Sequence, residues 1–155
     1  MELFETMLQH TSVRSFTQQK LTDELREQLI LSAQSASSSN FLQAFSIIEI
    51  TEAKKRKKIE QIANFPVDNG EKGALYIFVA DLNKHAQVLA MNNDSMEHLR
   101  TMESLVVSIV EATLAAQSMA IYAESVSLGI CYVGGIRNNL FQMKDILELP
   151  ELTDR

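Results

Sequence analysis

Apolar positions recur along the chain with two periods, and the alternation of those periods divides it into helices and strands. In residues 2–9, Leu3, Phe4, Met7 and Leu8 share one helical face. Thr22 stands where an N-cap is expected, with Asp23 and Glu24 in the favourable first turn. Leu25, Leu29, Ile30 and Ala33 then form the apolar stripe of a helix that runs out near SASSSN. Residues 41–50, FLQAFSIIEI, are β-branched and aromatic enough for a strand. Residues 52–63 predict a short helix, and 65–73 a loop carrying Pro66, Asn69 and Gly70. Residues 74–81, ALYIFVAD, predict a second, well-buried strand, and 82–90 another short helix.

The longest periodic stretch begins at a Ser95 cap. From Leu99 through Met102, Leu105, Val106, Ile109, Val110, Leu114 and Ala120 to Ile121 the apolar residues keep helical spacing. Continued to about Leu128, such a helix would span about 50 Å at 1.5 Å per residue. Its apolar residues go most of the way round, which predicts burial on several sides. A chain this small can hardly cover it alone, so a homodimer with this helix at or near the interface is expected. Gly129 is the expected stop. ICYVGG predicts a third strand running into a glycine turn, and Asn138 or Asn139 starts a last helix that stops before Pro150. Strands separated by dominant helices give an α/β or α+β fold with a small central sheet.

The totals narrow the class. With 155 residues the default is a single domain, long enough for a real core. The net charge of −6 argues against a general binder of nucleic acid or of a membrane surface, so any anion site must be a local cluster. Cys131 is the only cysteine, which excludes an internal disulfide, and a reducing cytoplasm is the simplest setting. The N-terminus carries no basic region followed by an apolar run, so no signal peptide is expected. The most apolar region, 104–136, is broken by Glu111 and Glu124, and no membrane span is expected from it. The KKRKK run at 54–58 reads as a solvated helix face, with a phosphate contact as the alternative.

Three stretches could carry chemistry. HTSVRSF at 10–16 offers one imidazole, hydroxyls and a guanidinium. A phosphate or a ribityl chain asks for that set, because a guanidinium gives charge-assisted, often bidentate bonds to phosphate oxygens. The same residues also suit a loop whose Ser and Thr cap a helix. SSSN at 37–40 is either a polar cradle or an ordinary loop after a helix. In YVGGIRNN at 132–139 a glycine pair lets backbone approach a flat ligand, or simply turns a strand into a helix with Asn138 as cap. His85 and His98 lack metal-ligand spacing and read as solvated, and Cys131 reads as a buried apolar residue in a strand. No Ser–His–acid set and no paired carboxylates stand out, so no metal site and no catalytic acid or base is assigned.

Together and in this order, the three stretches resemble the nitroreductase/flavin reductase superfamily, particularly its oxygen-insensitive NADPH nitroreductase branch. HTSVRSF is similar to the opening phosphate-binding motif, SASSSNFLQAFSII to the serine loop and first strand, IFVADLNKH to the second strand and the segment after it, and SLGICYVGGIRNN to the flavin-ring motif. The resemblance implies a nitroreductase-like fold, a homodimer, and FMN bound at the subunit interface. It implies an oxidoreductase in which NAD(P)H gives a hydride to flavin N5 and the reduced flavin passes electrons to a small-molecule acceptor such as a nitroaromatic, a quinone or another flavin. Carried over by position, His10, Thr11, Ser12 and Arg14 would hold phosphate, ribityl or the ring's polar edge. Ser38, Ser39 and Asn40 would meet the flavin from the serine loop. Tyr132, Val133, Gly134, Gly135 and Ile136 would lie along the isoalloxazine, and Phe41 would help form the substrate pocket.

The chain departs from the family pattern at several places. Thr11 stands where the family usually has Arg, Asn40 replaces a fourth serine, and the family's flavin-contacting Gln has no clear counterpart in NFPVDNGEKG. After LPELTDR, family members continue with a further strand, a basic Lys-x-Arg element and an extension that embraces the partner, so a C-terminally shortened form is expected. The alternative function is therefore a non-enzymatic FMN-binding or dimerisation module.

Overall fold

Alternating side chains on two paired strands sort the core into two layers. In the computed structural model, which describes residues 2–65 and 72–154, β1 (Phe45–Glu49) pairs antiparallel with β2 (Tyr76–Asp81), Ile47 opposite Phe78. Phe45 and Ile47 with Tyr76 and Phe78 face one side, where α2 (Asp23–Gln34) and α5 (Met102–Ser125) cover them with Leu29, Ala33, Ala112, Ala115 and Met119. Ile48 and Ile50 with Ile77 and Val79 face the other side, against Ile59 of α3 (Ala53–Ala63) and Met143 of α6 (Leu140–Leu147). This is the period-two alternation of side chains between the two faces of a sheet, and each fully buried Ile, Val or Met contributes about 1.5–3 kcal/mol. The sheet is antiparallel throughout, which makes the fold α+β. Its helices also include α1 (Leu3–Leu8) and α4 (Asn83–Met91).

The third strand is not where the apolar pattern put it. ICYVGG contributes a single parallel bridge, Ser12 to Ile130, and then a 3₁₀ turn over Gly134–Asn139. The third strand is instead β3 (Thr153–Asp154), antiparallel to β2 with Asp81 opposite Thr153. An apolar run makes a strand only where an edge is available, and the 10–13 segment offers this run only one bridge. Cys131 accordingly lies outside any strand and is half-buried, its Sγ 3.6 Å from the Tyr132 carbonyl oxygen.

Side-chain caps set the start of three of the helices. Thr22 caps α2, its hydroxyl accepting from Leu25 N–H at 3.2 Å, and Asn139 caps α6 by accepting from Gln142 N–H at 3.0 Å. The long helix begins later than expected: Thr101, not Ser95, accepts from Ser104 N–H at 3.2 Å, and a separate 3₁₀ turn occupies Glu97–Arg100. It also ends earlier. Ser127 takes the left-handed conformation, φ 64°, and Leu128 N–H reaches back to the Ala123 carbonyl. The helix is 24 residues long, so about 36 Å. Gly129 has a different task, since a Cβ there would lie 2.7 Å from Val13 Cγ2. By length and composition alone α5 is apolar enough to cross a membrane, its most apolar 18-residue stretch having mean hydropathy 1.6, a test that the core helix of a soluble protein also passes. In this fold it is the element against which α2, β1 and β2 pack.

Two polar residues expected in solvent are structural. Arg56, within KKRKK, is 8% exposed. Its guanidinium donates to the Gly73 and Lys72 carbonyls at 2.8 and 2.7 Å, and to Glu60 at 2.9 Å. His85 is half-buried, and its Nε2 donates to the Leu42 carbonyl at 2.9 Å. His98 is exposed.

Gly135 is required by packing. A Cβ there would sit 2.0 Å from the Ala63 carbonyl oxygen, at the C-terminal end of α3, whereas one at Gly134 would meet only the far end of the Arg137 side chain. Gly135→Ala is therefore expected to cost about 3 kcal/mol, the upper part of the overpacking range, and Gly134→Ala about 0.5 kcal/mol or less. Urea denaturation of the two variants checks the contrast, and equal midpoints would contradict it. Arg56→Ala leaves Glu60 and two carbonyls without their partner, and an unfolding cost of about 3–5 kcal/mol is expected. A loss under about 1 kcal/mol would mean that the guanidinium is dispensable.

Candidate functional site

Three loops meet the polar positions of α5. At its C-terminal end, Glu124 accepts from His10 Nδ1–H at 2.8 Å. The segment after His10 is held by the Ser12–Ile130 bridge and by Val13 N–H donating to the Ile130 carbonyl at 2.8 Å. About two turns earlier on α5, Gln117 accepts from the Tyr132 hydroxyl at 3.2 Å. Burial raises the Tyr132 phenol above its usual range, and the carboxylate of Glu124 adds to the shift, so the ring stays neutral and able to donate. His10, Ser12 and Val13 are thus brought to the part of α5 that also holds Ile130 and Tyr132.

The serine loop sits elsewhere on the same helix. Glu111 accepts from the Ser38 hydroxyl at 2.8 Å, from Ser39 N–H at 2.6 Å and from Ala44 N–H at 2.6 Å. Glu111 and Glu124 are 13 residues apart on α5, about 20 Å along the helix axis. No hydrogen bond among the described residues joins Ser38–Phe41 to the other two segments. One chain therefore spreads the expected site residues along α5, with Gln117 about 9 Å and Glu124 about 20 Å along the axis from Glu111.

The side chains differ in what they have free. The hydroxyls of Thr11, Ser12 and Ser39, the Asn40 amide and the Arg14 guanidinium are exposed and make no side-chain hydrogen bond among the described residues. Ser38 is already committed to Glu111 and, as acceptor, to Gln43 N–H at 2.7 Å. Phe41 is 81% exposed, an apolar ring held in water at a φ of 57°. Val133 and Ile136 are half-buried, and Ile136 packs into the α3–α6 layer. The close approach at Gly135 is to α3, so Gly134 is the glycine left open toward a ligand.

Sequence reasoning missed three contributors. Along the chain Glu111 and Glu124 read only as breaks in an apolar stripe, yet they hold two of the three loops; an acid inside an otherwise apolar face was the signal. Arg137 was the third: its guanidinium lies against Gly134, where a Cβ would come within 3.0 Å of it, and it makes no ion pair among the described residues. The NFPVDNGEKG stretch, where a flavin-contacting Gln was sought, lies largely outside the described residues. No group of three His, Cys, Asp or Glu residues able to hold a metal occurs among the described residues.

Comparison with known proteins identifies the architecture. The Nitroreductase family model matches residues 7–154. An FMN reductase (NADPH) of Bacillus subtilis is 42% identical over 148 residues, covering 95% of this chain and 59% of that protein. An NADPH-dependent oxidoreductase of Staphylococcus epidermidis is 36% identical over 154 residues, 97% of this chain and 60% of that one. Among solved structures, a Bacillus subtilis nitroreductase superposes with a TM-score of 0.95 at 40% identity, over 99% of this chain and 62% of that chain. The NADPH:FMN oxidoreductase of Vibrio harveyi, complexed with NAD+, gives 0.89 at 34% identity, over 98% and 64%. This chain thus spans about three-fifths of the length of these relatives. On the family match across residues 7–154, the chain belongs to the nitroreductase family.

Proposed function

We propose that this chain binds FMN and acts, as a homodimer, in NAD(P)H-dependent reduction of small-molecule acceptors such as nitroaromatics, quinones or a second flavin. The observation that carries the proposal is the donor set at 11–14. Two exposed hydroxyls and a guanidinium without an ion pair among the described residues follow one another in a segment held by the Ser12–Ile130 bridge. That set suits a phosphate and a polyhydroxyl chain, since Arg supplies charge-assisted bonds and Thr and Ser supply neutral donors. The FMN and NADPH in the names of the relatives support the same reading.

Within it, Arg14 anchors the phosphate, and Thr11 and Ser12 hold the phosphate or ribityl oxygens. His10, oriented by Glu124 through Nδ1, keeps Nε2 for the cofactor. Tyr132 to Ile136 lie beside the ring, with Gly134 as the open backbone position and Arg137 adding positive charge. Ser39 and Asn40 face the cofactor from the serine loop, and Phe41 borders the acceptor pocket. FMN, when bound, supplies the hydride chemistry; the protein binds, orients and shields it.

The serine loop is tied at Glu111 and His10 at Glu124, about 20 Å apart along one helix, so a second copy would bring a further set of these residues to the cofactor. The uncovered surface fits that arrangement. Met102, Val106, Ile109, Val110 and Leu114 leave one face of α5 exposed, and Leu3, Phe4, Met7 and Leu8 of α1, which packs on α5, are each more than half exposed. Contiguous apolar surface of this kind marks an interface. A reducing cytoplasm is the proposed setting, since Cys131 has no second cysteine to pair with.

Purified protein is expected to be yellow, or to become so with added FMN, and NADPH is expected to bleach the flavin absorption. A colourless protein that takes up no FMN would contradict the proposal, and a yellow one that NADPH leaves unchanged would point to a binding module without reductase activity. Arg14→Ala is expected to weaken FMN binding by about 1.5–3 kcal/mol, the range for a hydrogen bond to a charged group. An unchanged dissociation constant in a flavin titration would remove Arg14 from the phosphate site.

A further inference from the structure

Glu111 is 2% exposed, and its hydrogen bonds come from the 38–44 segment rather than from a cation. A carboxylate is buried this deeply only when its oxygens are satisfied. Here Oε1 takes the Ser38 hydroxyl and Ser39 N–H, and Oε2 takes Ala44 N–H. The Ser38 oxygen in turn accepts from Gln43 N–H at 2.7 Å. Both ends of the loop are thereby tied to one side chain of α5.

What lies between those ties is backbone that resists its own conformation. Asn40, Phe41 and Gln43 take φ values of 49°, 57° and 50°. The left-handed region is unfavourable for residues with a Cβ, and for a bulky aromatic in particular. Such conformations persist only when the surroundings impose them. The strain has a visible result: Ser39, Asn40 and Phe41 are all exposed, and neither the Ser39 hydroxyl nor the Asn40 amide has a partner among the described residues.

We propose that Glu111 is the positioning residue of this loop. Its carboxylate imposes the left-handed backbone and so presents Ser39, Asn40 and Phe41 to the flavin. Ser38 is an internal strut between Glu111 and Gln43 rather than a ligand. The flavin half of this assignment rests on the function proposed above; the loop half does not.

The chain contains no tryptophan, so Phe41→Trp places a single fluorescent reporter on the loop. In that parent, the anisotropy of the introduced indole is measured without FMN, and FMN affinity by titration. Glu111→Gln puts an N–H donor where a loop N–H needs an acceptor. It is expected to lower the anisotropy and to weaken FMN binding about tenfold, the effect of losing a hydrogen bond to a charged group. Ser38→Ala is expected to move both readouts in the same direction, and Glu111→Asp, which keeps the charge with a shorter reach, to recover part of each. A folded Glu111→Gln protein with parental anisotropy and affinity would overturn the proposal. So would a Ser38→Ala protein that loses FMN affinity while its anisotropy is unchanged, because Ser38 would then be a ligand. Should Glu111→Gln fail to fold, Ser38→Ala decides alone. A parent that takes up no FMN overturns the flavin half, while the anisotropy still decides whether Glu111 sets the loop.

Discussion

Carboxylates on an apolar helix must find hydrogen-bond donors, and this fold is arranged around that need. Glu111 and Glu124 interrupt the apolar surface of α5, and each is satisfied by a loop from a distant part of the chain. The loops are 72 and 114 residues away in sequence, so the bonds close long stretches of chain onto one helix. The apolar remainder of α5 sets the rest. Ala112, Ala115, Met119 and Ala123 bring α2 and the sheet close, and the sheet's second face is then free for α3 and α6. Small alanines at these positions let the neighbouring layers approach, while the larger Val106, Ile109, Val110 and Leu114 remain on the uncovered side.

Local chemistry made much of this legible. Thr22 and Asn139 are capping residues by type, and each makes the bond its type predicts. The strands at 45–49 and 76–81 are near-continuous apolar runs because both faces of the sheet are covered. What was illegible depends on distant contacts. ICYVGG has a strand's composition, yet only Ile130 finds a pairing partner. Gly129 and Gly135 have the look of turn glycines but are glycines because Val13 and the Ala63 carbonyl come too close for a Cβ. Arg56 sits in a run of lysines and cannot be told from them until the 72–73 carbonyls are placed against it. Residues 41–44 look like the start of a strand, and only the tether to Glu111 explains why the strand waits until Phe45.

The same division applies to the candidate site. The three polar stretches stand out by composition and order. Their separation along α5 does not, because it depends on which helix residue each loop finds. The uncovered face of α5 bears on the proposed chemistry: in the proposed homodimer the cofactor would draw on residues of two copies, and the apolar side of α5 is the surface on which they would meet.

Sedimentation velocity followed at the flavin absorption tests this claim most directly. All protein-bound flavin is expected to travel with a species of two chains. Flavin travelling with a single chain would contradict it.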